Sequence, residues 1–395
     1  TVIHTGDWKI DPGPAIGPLT DEARFRALGD RGVLAMMCDS TNALREGESP
    51  SEKQVGVGLK EVIEAAPARV AITTFSSNVG RIRSIAEAAR DAGRRVLVLG
   101  RSIKRVIDVS TELGYLDGLP PFAAEEEFNL IPRDQLVILC TGSQGEPRAA
   151  LAKLARDEMR SVSLAAGDTV VYSSRVIPGN EKAILATKNL LIEQGVKVIE
   201  DGDALVHVSG HPRRGELRRM YEWVRPNVLV PVHGEAQHLV GQGSLAAMSG
   251  VPHVAQVRNG DMLRLAPGDP EIVDQVPFGR IYKDGKLIGS DEEMGIRDRR
   301  RLSFAGHVAV NVVLDDRYEI AGDPDLVAIG VAKTDRSGEP IEELMLDAAI
   351  GAVESIPRAR RKDLDLVEEA VRRAVRSTGE EAWGKKPIVT VFVTR

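Results

Sequence analysis

Residues 228–238 read Val-Leu-Val-Pro-Val-His-Gly-Glu-Ala-Gln-His. The apolar run Val228-Leu-Val-Pro-Val232 has the length and composition of a buried strand. It delivers His233 to the end of a sheet, where ligand-binding residues of α/β proteins collect. Just upstream, His207-Val-Ser-Gly-His211 adds two more histidines. Of seven histidines in 395 residues, His207, His211, His233 and His238 fall in this one window. A single histidine at a strand end is more often a core or surface residue than a ligand. Four together, with glycines beside His211 and His233, point to chemistry. His4-Thr-Gly-Asp7 makes a further strand-to-loop transition, while His253 and His307 stand alone and carry no assigned chemistry.

Outward from this window, apolar runs alternate with amphipathic helical patterns from Leu34 to about Gly202. Strands are expected at Leu34 to Cys38, Val70 to Thr74, Val96 to Leu99, Leu136 to Cys140 and Val170 to Ser173. Helices such as Arg81 to Ala92 and Glu181 to Gln194 lie between them. The alternation predicts a largely parallel sheet covered by helices on both faces. The stretch Asp291 to Arg301, rich in Arg and Asp, has a linker's composition. Beyond it, strands at Ala309 to Leu314, Leu326 to Val331 and Ile388 to Val393, with helices near Ile341 to Ser355 and Asp363 to Ser377, predict a small α+β domain.

With 43% hydrophobic residues the chain can bury two or three cores. Cys38 and Cys140 both end apolar runs and read as buried free thiols. No run of 18 apolar residues exists, so no membrane span is expected. The net charge of −6 argues against indiscriminate binding to nucleic acid. Any nucleic-acid site must therefore be a local basic groove.

Seven segments, in this order and at these spacings, carry a family likeness: His4-Thr-Gly-Asp-Trp-Lys-Ile-Asp11, Cys38-Asp-Ser-Thr-Asn42, Phe75-Ser-Ser-Asn-Val79, Thr141-Gly-Ser-Gln-Gly-Glu-Pro147, Ser173-Ser-Arg-Val-Ile-Pro-Gly-Asn-Glu181, His207-Val-Ser-Gly-His211 and Pro231-Val-His-Gly-Glu235. The chain resembles the ribonuclease J family, in the β-CASP branch of the metallo-β-lactamase superfamily, over nearly its whole length. The resemblance implies an α/β fold: a metallo-β-lactamase αββα domain (1–50 and 212–292, partial) interrupted by an inserted β-CASP α/β domain (51–211). A linker (293–300) and a small C-terminal α+β domain (301–395) would follow. The family's first metal motif, His-x-His-x-Asp-His, does not occur in the sequence. The expectation is therefore that this segment is the C-terminal part of a longer enzyme and is inactive by itself. Two local departures are Gly80, where the family often has His, and the basic Pro212-Arg-Arg214.

Cutting a phosphodiester requires an activated water, charge neutralisation and help for the departing alkoxide. A pair of metal ions supplies all three. By resemblance, Asp7 matches the bridging carboxylate and His233 the last metal ligand. Two Zn²⁺ suit such His and carboxylate donors, and Mn²⁺ fits as well. His211 matches a catalytic histidine that is not a ligand, and Asp39 the acid that orients it. His207 and Ser209 match a pocket for a 5'-monophosphate. Ser143, Ser173, Ser174 and Arg175 could present hydroxyls, backbone N–H groups and charge to RNA phosphates. Taken alone, the glycine-rich 141–145 segment reads as a tight turn after a strand. Arg81 and Arg83 are further candidate backbone grips.

The expected activity is that of a zinc-dependent ribonuclease, a 5'-to-3' exonuclease with a preference for 5'-monophosphate ends plus endonuclease activity, working in the cytoplasm in rRNA processing and mRNA decay. Its partners would be RNA and further copies of itself, as a homodimer or homotetramer through the C-terminal domain. Two alternatives have the same fold: a noncatalytic RNA-binding or assembly subunit, and a nuclease acting on DNA. The Gly-Ser-Gln-Gly-Glu-Pro and Pro-Gly-Asn-Glu segments favour RNA.

Overall fold

The apolar runs become short parallel strands. In the first 276 residues these are β1 (Val2–His4), β2 (Ala35–Asp39), β3 (Val70–Thr73), β4 (Arg95–Leu99), β5 (Leu136–Cys140), β6 (Thr169–Tyr172), β7 (Lys197–Ile199), β8 (Val228–Val232), β9 (His253–Val254), and a hairpin of β10 (Asp261–Arg264) and β11 (Glu271–Gln275). The structure, a computed structural model, describes residues 1–395 as two units, 1–276 and 277–395.

Two parallel sheets organise the first unit. One has the order β4-β5-β3-β6-β7 and the other β1-β2-β8-β9. The sequence pattern suggested one sheet running from Leu34 onward. The structure instead separates β2 from the next four runs and pairs it with β8, almost 200 residues later. Nothing local in the sequence marks that pairing, because all these runs are equally apolar.

In the five-stranded sheet, alternate residues enter opposite cores. Val70, Ile72, Val137, Leu139 and Val171 pack on one side with Leu59, Ile63, Ile82 and Ile85 from the helices Glu52–Ala65 and Val79–Asp91. Ala71, Ile138, Cys140, Val170 and Tyr172 pack on the other with Ile184 and Leu191 from the helix Glu181–Glu193. Burial on both faces is why these strands read as continuous apolar runs instead of alternating ones. Gly145 lies in the turn after β5 with φ of 73°, and a Cβ there would meet Ala183 backbone at 2.6 Å, so this position requires glycine.

The four-stranded sheet positions the site. β2 and β8 run in register to their last residues, Asp39 opposite Val232, and β1 pairs His4 with Met37. Their carboxyl ends therefore open at one edge, where α/β sheets place ligands. Beneath that edge, Met36, Cys38 and Leu229 pack on Leu217, Met220, Trp223 and Val224 of the helix Arg214–Val224. Cys38 and Cys140 are both free and buried, as the sequence suggested.

In the second unit, β12 (Tyr282–Asp284) and β13 (Leu287–Gly289) form a hairpin. The charged stretch that follows is helical over Ile296–Ala305. A sheet of order β15-β14-β16, with β14 at His307–Val313, β15 at Asp325–Ile329 and β16 at Ile388–Thr394, carries the helices Ile341–Ser355 and Leu364–Trp383 on one face. Val308, Val310 and Val312 point into that core, whereas Val327, Ile329 and Phe392 are exposed. No helix of the chain is long and apolar enough to cross a membrane.

Candidate active site

The turn 39–42, leaving β2, organises the site. Asp39 is buried, and its Oδ2 lies 2.6 Å from Nδ1 of His211. Its Oδ1 accepts from the Thr41 amide at 2.9 Å and lies 3.4 Å from Nδ1 of His233. The Ser40 amide donates to the Val232 carbonyl, tying the turn to β8. The Thr41 hydroxyl lies 2.8 Å from His233 Nδ1. Burial opposes the charge on Asp39, but hydrogen bonds from His211 and from Thr41 outweigh it and hold the carboxyl below its usual range. The same hydrogen bond to Asp39 raises the pKa of His211 against the opposing effect of burial.

His233 follows β8 directly, as the apolar run implied, and adopts a left-handed backbone with φ of 57°. For a residue with a side chain that conformation costs about 1–2 kcal/mol. It turns the imidazole back toward the edge, where its ring stacks on His211 with centroids 5.2 Å apart. His233 Nε2 lies 3.8 Å from Asp7 Oδ1, and both side chains are more than half exposed. One ligand atom from each of Asp7, Asp39, His211 and His233 falls within 4.8 Å of the others. Two imidazoles and two carboxylates are donors that suit a zinc-type ion. Asp39 and His211 are committed to each other, so Asp7 and His233 are the outward donors, at a spacing that an ion about 2 Å from each can span.

The 207–211 segment approaches this cluster from the inserted sheet. His207 is buried, and its pKa falls to about 3 through burial first and then through Arg81, Arg175 and Lys9. Arg81 is fully buried. Its guanidinium donates to Glu52 Oε2 at 2.8 Å, Ser173 Oγ at 2.7 Å and the Val206 carbonyl at 3.1 Å. Ser209 Oγ accepts from Asn42 Nδ2 at 3.0 Å, and Asn42 Oδ1 accepts from Arg175 at 2.9 Å. Behind the segment, the buried Glu216 accepts from the amides of Ile10, Ser49 and Arg213 and from the Ser49 hydroxyl.

Asp7, Asp39, His211 and His233 thus come together, with Ser209 and Arg175 beside them through Asn42. Ser173 does not serve RNA: its hydroxyl donates to the Val206 carbonyl and accepts from Arg81, leaving no proton for a phosphate. Ser143 is 3% exposed, and no hydrogen bond joins it to the cluster. Its glycine-rich loop is tied instead by Gln144 to Arg175, Ile177 and Asn180, in agreement with a structural turn. Ser174 is buried and its hydroxyl has no partner. Arg81 is internal and Arg83 binds the Tyr115 carbonyl, so neither is a surface grip. His238 lies outside the site, where its Nδ1 accepts from the Glu235 amide at the start of the helix Ala236–Met248. Thr41, Asn42 and Glu216 received no role from the sequence. Their side chains reach partners far away in the sequence, His233 from Thr41, Ser209 and Arg175 from Asn42, and Ile10 and Ser49 from Glu216, and no local pattern announces that.

Comparison with known proteins gives the family. Family models match as "Ribonuclease J, beta-CASP domain" over residues 67–191, "Zn-dependent metallo-hydrolase RNA specificity domain" over 179–255 and "Ribonuclease J C-terminal domain" over 294–395. The chain is thus a metallo-hydrolase of metallo-β-lactamase fold with an inserted β-CASP domain. Its whole length is 65% identical to Ribonuclease J of Sinorhizobium meliloti, covering 70% of that protein. It is also 38% identical to Ribonuclease J of Mycobacterium tuberculosis and 34% to that of Thermus thermophilus, covering 70% and 68% of them. The chain belongs to the ribonuclease J family.

Proposed function

We propose that the site hydrolyses RNA phosphodiesters, removing nucleotides from 5'-monophosphorylated ends in the 5'-to-3' direction and also cutting internally, in rRNA processing and mRNA decay. The observation that carries this reading is the His211–Asp39 pair set beside the outward donors Asp7 and His233. Metal ions, zinc or manganese, held by Asp7, His233 and further donors would neutralise phosphate charge and activate the attacking water. Within this chain, the buried Asp39 holds His211 as a proton donor. As water oxygen bonds to phosphorus, the P–O3' bond breaks and the His211 proton passes to the leaving O3'. The water proton goes to solvent, giving 3'-hydroxyl and 5'-phosphate ends. His207 and Ser209, adjoining His211 on one short segment, would hold the terminal phosphate, so an anchored end sets one phosphodiester over the catalytic group.

We further propose self-association through the second unit, whose sheet exposes Val327, Ile329 and Phe392. An apolar surface of this kind is typical of interfaces. The activity is tested with full-length enzyme on one RNA sequence bearing 5'-monophosphate, triphosphate or hydroxyl ends. Release of mononucleotides from the monophosphate form, faster than from the other two, is expected. Equal rates from all three would overturn the end preference, and cleavage of the matched DNA in place of RNA would overturn the substrate class.

A further inference from the structure

The hydroxyl of Ser209 is held in an unusual way. Its Oγ accepts from Asn42 Nδ2 at 3.0 Å and from the backbone N–H of His211 at 3.3 Å. A serine hydroxyl has two lone pairs and one proton. Both contacts occupy lone pairs, so the proton remains free, and no protein group accepts it. The orientation of the Asn42 amide is itself fixed. Asn42 is 2% exposed, and Arg175, which can only donate, points its guanidinium at Oδ1 from 2.9 Å. Nδ2 is therefore left to face Ser209 and the His211 carbonyl, at 3.0 Å each.

We infer that Asn42, locked by Arg175, is a positioning residue that commits the Ser209 hydroxyl to donate its proton to a terminal phosphate dianion. This rests on the reading of residues 207–209 as the pocket for a 5'-phosphate. A phosphate monoester offers only acceptors, so a hydroxyl whose own acceptor sites are filled is matched to it. A 5'-hydroxyl end offers only one neutral oxygen, a weaker acceptor than the charged oxygens of the phosphate. The turn that carries Asn42 also carries Asp39. The pocket hydroxyl and the imidazole of His211 are consequently set by residues three apart on one rigid turn, which fixes the distance from the RNA end to the cut.

The test is equilibrium binding, by fluorescence anisotropy with chelator present, of a short oligoribonucleotide with either a 5'-monophosphate or a 5'-hydroxyl. The quantity read is the ratio of the two affinities. Asn42→Asp is nearly isosteric but replaces the donor with an acceptor, so the Ser209 proton turns inward. The ratio should fall about tenfold or more, the scale of one hydrogen bond to a charged group, while affinity for the hydroxyl-ended RNA changes much less. Asn42→Ala and Ser209→Ala should each lower the ratio, and the double variant should lower it no further than Ser209→Ala alone. Arg175→Gln, which removes the donor to Asn42 Oδ1, should lower the ratio in wild type but not in the Ser209→Ala background. Thermal melts establish that each variant is folded. Additive losses, or an unchanged ratio in folded Asn42→Asp or Arg175→Gln protein, would overturn the role of Asn42 while leaving the pocket intact. A wild-type ratio near one would instead overturn the pocket itself.

Discussion

His211 Nδ1 and Asp39 Oδ2 lie 2.6 Å apart although 172 residues separate them in the chain. The carboxylate is buried, and its second oxygen is engaged by the Thr41 amide, so it cannot move away to serve a metal without freeing the imidazole. The pair therefore divides the cluster into an internally bonded half and an outward half, Asp7 and His233, whose side chains are more than half exposed.

His233→Ala and His211→Ala should consequently fail in different ways. In full-length enzyme, removing His233 should reduce both bound metal and rate. Removing His211 should leave the metal content unchanged and slow cleavage by roughly 10²-fold or more, the usual contribution of a positioned acid. Metal analysis of the two purified variants separates these outcomes, and loss of an ion from His211→Ala would show it to be a ligand.

The 395-residue chain, expressed as such, should bind zinc weakly and leave RNA uncut. Its outward donors are Asp7 and His233, fewer than a tight site needs. Calorimetric titration with zinc checks this, and tight binding of two ions would relocate the site.

His207 makes stability depend on pH. Its folded pKa is depressed to about 3, chiefly by burial and then by Arg81, Arg175 and Lys9, whereas the unfolded residue titrates near 6.5. Between these values the unfolded chain binds a proton that the folded one refuses. Stability should therefore fall as pH drops below about 6.5, by at most about 1.4 kcal/mol per pH unit from this group. Urea midpoints of wild type and His207→Gln, followed from about pH 7 to about pH 4.5, should converge on acidification. Parallel curves would mean that His207 is not the residue responsible.

Glu216 ties together Ile10, Ser49 and Arg213. Glu216→Ala leaves these buried donors without an acceptor, and a loss on the order of 3 kcal/mol or more is expected. Urea unfolding measures it, and a change below about 1 kcal/mol would mean that the loops find other partners.

Ile329 is exposed on the outer face of the β15-β14-β16 sheet. If copies associate there, Ile329→Asp should yield smaller particles by light scattering with unchanged circular dichroism. An unchanged oligomer would place the interface elsewhere.

Much of this was legible in the sequence. The run Val228–Val232 placed His233 at a strand end, and the helices Ile341–Ser355 and Glu181–Glu193 followed from their periodicity. The pairing of β2 with β8 was not legible in the apolar pattern, because buried parallel strands share one composition whichever sheet they join; only the family resemblance set 1–50 and 212–292 apart from 51–211. Nor were the fates of the hydroxyls. Ser173, Ser174 and Ser209 look alike in sequence, yet one is bonded inward, one is buried without a partner and one faces the site with its proton free. Which of these a serine becomes depends on donors supplied by remote segments such as Arg81 and Asn42.

The burial of both faces of β3, β5 and β6 has a consequence for how the inserted sheet keeps its alignment. Sliding one such strand by a residue exchanges one apolar row for another, so hydrophobicity barely penalises the slip. What resists it are polar fastenings at the strand ends, where the Thr74 hydroxyl holds the Ser173 carbonyl and Arg81 grips Ser173 and Val206. These fastenings are the immediate neighbours of Arg175 and His207. The alignment marks of the sheet and the pocket proposed at 207–209 therefore share side chains, and a change that loosens one will blur the other.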